Sequence, residues 1–336
     1  MTAISCISLV CPVGYTPASA AAAMRASISV FEELPYRDRA GQSIRGARVD
    51  AVPPEAHGRS RLAALARFAV EHIDTEVAGL LPWGEMPFLL CSRDAGMPGA
   101  RINGILSGLA VPGGKPLAGA RTFQITHGQI SVFVAMEQAR RLLDERNVEA
   151  CLIMSVDSLI DARALSWLDS RMRLKTSKVT DGLIPGEAAC ILVVSKRPIV
   201  DGSLRLRGLG LAVETATASN EEPFRADGLS AALKVALGEA GVRMHEVAFR
   251  LSDVGGESYA FEELVLAQMR NMRQTRPEQP VWHAADCMGD CGAAAGLIQF
   301  AWAEQAFKRG YAPGELAALH GSSMAFGGRA AAVVSA

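Results

Sequence analysis

Three things are scarce in this sequence, and each absence excludes a class of protein. No run approaches the roughly 20 consecutive apolar residues that cross a bilayer, so a membrane-spanning chain is not expected. No charge of one sign dominates. The 34 basic and 35 acidic side chains leave a net charge of -1, so no global field holds a phosphate backbone by counterion release and nucleic acid is not an expected partner. A disulfide framework is also missing. The seven cysteines Cys6, Cys11, Cys91, Cys151, Cys190, Cys287 and Cys291 are odd in number and scattered. They read as buried thiols of a reducing compartment, with the cytoplasm the expected location. The apolar stretch Ile4 to Pro12 lacks the basic region that opens a signal peptide. A strand ending at Pro12 and Gly14, then a helix through the alanines at 18–23, fits it better. HExxH, P-loop, GxSxG and EF-hand patterns are absent, and neither a cofactor nor a metal is expected.

What is present is core. Residues are 49% hydrophobic against 21% charged over 336 positions, enough for one large core or two fused smaller ones and too apolar for disorder. Apolar strand-like runs, clearest at 150–156, 188–195 and 330–334, alternate with amphipathic helical stretches at 63–72, 131–145, 229–240, 261–270 and 293–308. That alternation predicts an α/β fold with covered sheets. The segment 104–119 carries five glycines and two prolines and reads as loop in which backbones approach closely. Stretches 125–143 and 283–308 echo one another as short strand, Gly-containing turn (Gly128, Gly289) and Ala-rich helix, which suggests an internal duplication. A break at Lys196-Arg197-Pro198 divides the chain into halves at 1–198 and 199–336.

Three segments carry a likeness to a known family. Asp181-Gly182-Leu183-Ile184-Pro185-Gly186-Glu187-Ala188-Ala189 precedes an apolar strand, Ser322-Ser323-Met324-Ala325-Phe326-Gly327-Gly328 precedes the last one, and Asp286-Cys287-Met288-Gly289-Asp290-Cys291-Gly292-Ala293-Ala294-Ala295-Gly296 opens a long helix. In order and spacing they resemble the β-ketoacyl synthases of the thiolase superfamily. The resemblance implies a thiolase-like fold of two duplicated βαβαβ halves in five layers. It also implies acyltransferase chemistry in fatty acid or polyketide biosynthesis, acyl carrier protein or acyl-CoA thioester as partner, and a homodimer or a heterodimer with an active synthase. Family members pair through strands packed near the nucleophile helix. The family's nucleophile is a cysteine at a helix N-terminus, where unpaired N–H groups favour the thiolate. Two histidines then polarise a malonyl thioester.

This chain departs from that pattern at all three positions. Counting back about twenty residues from Glu149 places Gln129 where the cysteine belongs, and no cysteine lies between Cys91 and Cys151. A carboxamide has no ionisable group near neutral pH and accepts no acyl group. A shift of two residues would place His127 there instead. The second histidine maps onto Asp290, the lysine near Ala285, and the first histidine onto the strand end at Asp253, with no histidine in reach. An anion at Asp290 repels the charge of a developing enolate. A backbone oxyanion hole at Gln129 and the loop of Met324, Gly327 and Gly328 would survive, since it needs no particular side chain.

The expected function is therefore a non-condensing relative that binds acyl chains or partners an active synthase. The alternative is an acyltransferase or thioester hydrolase using His127, Asp290 or Glu257 as base. A bare scaffold is the third reading, and it differs from a lipid-chain binder in lacking an apolar cavity of several hundred cubic ångströms behind Gln129. His283, Cys287 and Cys291 supply only three of the four ligands of a zinc site, and His57, His72, His245 and His320 are scattered. Arg171, Arg173, Lys175 and Lys178 form a basic run open to two readings, a steering patch for an acidic carrier protein or a solvated loop. Gly208-Leu209-Gly210 lacks the third glycine of a dinucleotide site.

Overall fold

Residues 187–195 show why the strands read as continuous apolar runs. Ala188, Cys190, Leu192 and Val194 pack into one core while Ala189, Ile191 and Val193 pack into another, so both faces of the strand are covered. The computed structural model describes every residue except Met1, Asn103, Ala120, Ala218, Ser219, Glu221, Met324 and Ala325. In chain order the elements are β1 (Thr2–Val10), α1 (Pro17–Arg25), β2 (Glu32–Arg37), β3 (Ser43–Gly46), α2 (Gly58–Glu71), α3 (Thr75–Leu80), β4 (Phe88–Ser92), β5 (Thr122–Thr126), α4 (Ser131–Leu143), β6 (Ala150–Ser158), α5 (Ala162–Ser170), β7 (Glu187–Ser195), β8 (Leu204–Val213), α6 (Asp227–Ala240), β9 (Phe249–Ser252), α7 (Ser258–Asn271), β10 (Val281–His283), α8 (Ala285–Met288), α9 (Ala295–Lys308), β11 (Leu316–Ser322) and β12 (Gly328–Ser335).

Ten strands form one mixed sheet in the order β10-β9-β11-β12-β8-β1-β7-β6-β4-β5. Its two sets of five repeat one connectivity. β1 and β8 each pair antiparallel with the last strand of their set, β7 and β12, which pair antiparallel with β6 and β11. The remaining pairs, β6-β4-β5 and β11-β9-β10, are parallel. The sets join where Thr2 to Ile4 of β1 meets Leu206 to Leu204 of β8. Stretches 125–143 and 283–308 occupy equivalent places, each running from an edge strand into a central helix, as their sequence echo led us to expect.

The layers follow from the faces. α4 and α9 pack against each other between the two sets of strands, and their buried Phe133 and Phe300 rings lie 5.7 Å apart in the central core. α2 covers the outer face of the first set and α6 that of the second, giving five layers. The Gly208-Leu209-Gly210 segment serves this packing. A Cβ at Gly208 would lie 2.0 Å from the Ala236 carbonyl oxygen, and one at Gly210 2.0 Å from that of Ala232, so only glycine lets α6 rest directly on β8.

Several elements escape the sequence pattern: the β2–β3 hairpin, whose EELPYR strand hides its alternation under charge, and the short helices α3, α5 and α8. The start of the chain is strand then Ala-rich helix, as read, with Thr16 capping α1 through the Ser19 N–H at 3.1 Å. Segment 104–119 is turns and loop, and a Cβ at Gly119 would fall 1.7 Å from the Gly84 carbonyl oxygen, so backbones do approach closely there. Among the described residues, no helix is long and apolar enough to cross a membrane.

Candidate functional site

α4 and α9 start alike, each through a single 3-10 turn. Gly128 opens the first at φ 53, and a Cβ on it would lie 2.2 Å from Asp94 Oδ2. Gly292 opens the second at φ 56, with a Cβ 2.2 Å from Asp157 Oδ2. Both positions therefore require glycine, for left-handed backbone and for close approach to a strand-end carboxylate. The next residue is Gln129 in one turn and Ala293 in the other. Gly296 lets α9 crowd this point, since a Cβ there would sit 3.0 Å from the Gln129 carbonyl oxygen.

Gln129 is half-buried, and its Nε2 donates to Asp290 Oδ2 at 3.0 Å. The other carboxylate oxygen of Asp290 accepts the Gly292 N–H at 2.7 Å. Asp290 is placed by its own backbone, which donates to Ile184 O and accepts from the Gly186 N–H, each at 2.8 Å. The Pro185-Gly186-Glu187 and Gly289-Asp290-Cys291 segments thus meet beneath the helix start. Glu187 anchors the junction: it is fully buried, is held by Arg61 through Nε at 2.6 Å and Nη2 at 2.5 Å, and accepts from Ser158 Oγ at 2.7 Å. In the second half Arg329, Glu263 and Ser322 form the matching buried set, with Nε to Oε1 at 2.6 Å and Oγ to Oε2 at 2.7 Å.

Carboxyl groups dominate the electrostatics. Burial raises Asp94 to about 6, with the Arg173 charge and a bond from Ser323 Oγ at 2.9 Å pulling the other way. Asp290 is likewise raised by burial to about 6, against the Gly292 N–H, Arg173 and Gln129. Asp253 goes to about 7, first through burial, with the Ser322 N–H opposing at 2.8 Å and the negative charge of Asp290 adding to the rise. Where the resemblance would place imidazoles, this site holds two carboxyls that disfavour each other's ionisation. When ionised, such a pair repels a developing enolate.

The structure brings Gln129, Asp290 and Asp253 together around two small adjoining spaces. The first, lined by Asp94, Gln129, Arg173, Asp290 and Phe326 among others, offers about 10 Å³ to water, and the second, lined by Asp253, Asp290, Cys291 and Trp302 among others, about 20 Å³. Each holds roughly one water molecule. Neither space has the several hundred cubic ångströms that an acyl-chain binder needs. Cys291 faces the second space as an inert thiol, since burial chiefly and the anions around it raise its pKa well above the ordinary value.

Other expected residues fall elsewhere. His127 is exposed, lines neither space, and contributes its backbone N–H to Ser131 Oγ at 2.9 Å. Glu257 is engaged bidentately by Arg173, at 2.7 Å to each oxygen, which removes it as a free base. That pair takes Arg173 out of the basic run, whose Arg171, Lys175 and Lys178 stay exposed. Arg173 points into the site, Arg171 stacks 4.2 Å over Trp167, and Lys175 binds the Thr180 carbonyl at 3.1 Å. In the glycine-rich loop Met324 lies outside the described residues, and the Gly327 N–H donates to Ser323 O at 2.9 Å, so it is not free for an oxyanion. Gly328 begins β12, its carbonyl accepting from Ser323 N–H at 2.8 Å. Asp94, Arg173 and Ser323 are the site residues that sequence reasoning missed. Asp94 follows the apolar strand β4 as Asp253 follows β9, which is the one signal that points to it. Among the described residues no group of three or more His, Cys, Asp or Glu is arranged to hold a metal.

No protein-family model and no curated protein sequence matches the chain. Solved structures do. The ishigamide ketosynthase/chain length factor superposes with a TM-score of 0.74 at 18% identity, over 99% of each chain. The chain has a thiolase-like fold. A ketosynthase in complex with its chain length factor from Xenorhabdus doucetiae gives 0.73 at 14% identity, over 99% of this chain and 97% of that one. A type II polyketide acyl-carrier protein complex with its ketosynthase gives 0.73 at 12%, over 99% of both. In this chain Gln129 stands at the start of α4, Asp253 directly after β9, and Asp290 between α8 and the turn that opens α9.

Proposed function

We propose that this chain is a non-condensing, ketosynthase-like subunit that pairs with an active synthase in polyketide or fatty acid biosynthesis. One observation carries the reading. The residue at the N-terminus of the central helix is a carboxamide hydrogen-bonded to a carboxylate, and no thiol or imidazole lines the space in front of it among the described residues. Neither acyl transfer to the chain nor decarboxylation has its reagents there. The small size of the spaces beside Gln129 and Asp290 favours the partner role over acyl-chain binding. β5 ends the sheet, leaves one edge unpaired and leads directly into Gln129, so strand pairing across β5 would set Gln129 beside the partner's own site. Two solved structures of this fold are named as ketosynthase with chain length factor, which supports the same reading.

The test is twofold. Mixed with an acyl-loaded intact synthase, the purified chain forms a heterodimer by light scattering and gains no acyl mass itself. A covalent acyl adduct on this chain refutes the proposal. The hydrolase reading keeps a single candidate base, Asp290, whose pKa near 6 suits that role. Thioester turnover abolished in Asp290→Asn would replace our reading with that one.

A further inference from the structure

Among the described residues few large apolar side chains stand exposed, and three of them lie on one helix. Phe261, Val265 and Met269 of α7 are 40%, 48% and 67% exposed. At four-residue spacing they form one stripe, opposite the face that buries Ala260, Leu264 and Ala267. A stripe of this kind on an outer helix marks an interaction surface.

Charge says what covers it. Beside Phe261 stand exposed Glu262 and, across the His283 ring that meets Phe261 edge-on at 5.9 Å, Asp286. Beside Met269 stand exposed Arg270, whose charge is partly taken up by Asp227 at the start of α6 at 2.7 Å, and exposed Arg273. One end of the stripe is acidic, the other basic, and Val265 is its centre. A surface with this pattern complements itself when turned end over end.

We propose that the α7 face binds a second copy of this chain, with the two α7 helices antiparallel about a twofold axis at Val265. Phe261 of each copy then covers Met269 of the other, along about 12 Å of helix, and each acidic end meets a basic end. The patch is small, so the dimer is weak and concentration-dependent. α7 borders β10, at the opposite end of the sheet from β5, so this contact is independent of the heterodimer proposed above.

Sedimentation of the purified chain over a concentration series tests the idea. Val265→Glu and Met269→Glu, both at exposed positions, weaken self-association by about tenfold or more. Val265→Cys forms an interchain disulfide under mild oxidation, because a twofold axis brings the two Cβ atoms within bonding reach. Val235→Cys on neighbouring α6, 52% exposed at its valine, is the control and does not. A chain that stays monomeric at all concentrations overturns the proposal, as does a dimer indifferent to the glutamates or cross-linking no faster at 265 than at 235. Heterodimer formation with the synthase is unaffected by any of these variants, which separates this test from that of the proposed function.

Discussion

Asp290→Asn makes the chain more stable at alkaline pH, and the structure gives the size of the gain. Asp290 is only 8% exposed, and burial raises its pKa from an ordinary 3.8 to about 6. A carboxyl raised on folding contributes stability that is complete below its unfolded pKa and is lost as pH climbs through the folded one. At pH 8 both states have lost the proton, and the folded state bears a penalty of about 3 kcal/mol for ionising it in place. An unfolding entropy of about 2 cal/mol/K per residue over 336 residues converts this to about 4 °C in Tm. The asparagine keeps the acceptor for Gly292, and Gln129 turns its amide to meet the new donor. Calorimetry of both proteins from pH 3 to 8.5 should therefore show a difference that is smallest at the acid end, grows in favour of the variant between about pH 4 and 6, and is constant above about pH 7. A variant that is less stable at pH 8, or whose difference does not change with pH, refutes the burial argument.

The other predictions concern the frame. Glu187→Gln strands the buried Arg61 guanidinium and costs about 3–5 kcal/mol by denaturant titration, while Arg61→Met with Glu187→Leu recovers most of it; equal losses in the single and double variants would contradict this. Gly210→Ala drives a methyl to 2.0 Å from the Ala232 carbonyl oxygen and destabilises by about 1–3 kcal/mol as α6 lifts from β8, which a thermal melt will register. Arg250 is 2% exposed and its Nε and Nη1 have no partner, so Arg250→Met is neutral or stabilising by up to about 4 kcal/mol. A clear loss of stability there would mean that the bond from its Nη2 to Gln268 Oε1 outweighs the cost of burying the charge.

The frame was legible because both faces of its strands are covered. Runs such as 188–195 are apolar without a break, and the helices between them carry the 3.6-residue pattern, so the class of fold and its duplication follow from sequence. β2 and β3 were not legible, since half of their surface faces solvent and charge hides the alternation. Gln129, Asp253 and Asp290 were placed by the family resemblance, through the order and spacing of the segments that carry it. Asp94 was signalled only by its place after β4, and Arg173 was named only as one of a basic run. They reach the site from a loop and from a basic run, and nothing local distinguishes an arginine that folds inward onto Glu257 from one that points to water. The cavity was illegible too, because its volume depends on how Phe326 stacks 6.2 Å from Trp167 and how closely Gly296 brings α9 to Gln129.

The two halves hold their strand ends by one device with its polarity reversed. Ser158 faces Glu187 across β6 and β7, and Ser322 faces Arg329 across β11 and β12. The first pair draws its counter-charge from Arg61 on α2, the second from Glu263 on α7, and all four ionic groups are buried. Either polarity closes the cluster, since what matters is that no buried charge lacks a partner. From these anchors hang the segments that shape the crevice. Gly186, next to Glu187, pairs with Asp290, and Arg329 Nη1 binds Ser323 O at 3.0 Å while Ser323 Oγ holds Asp94. None of these contacts involves a group that would act on a thioester. The chain can therefore carry an amide and carboxyls where the family resemblance places a thiol and imidazoles and still keep the loops in place.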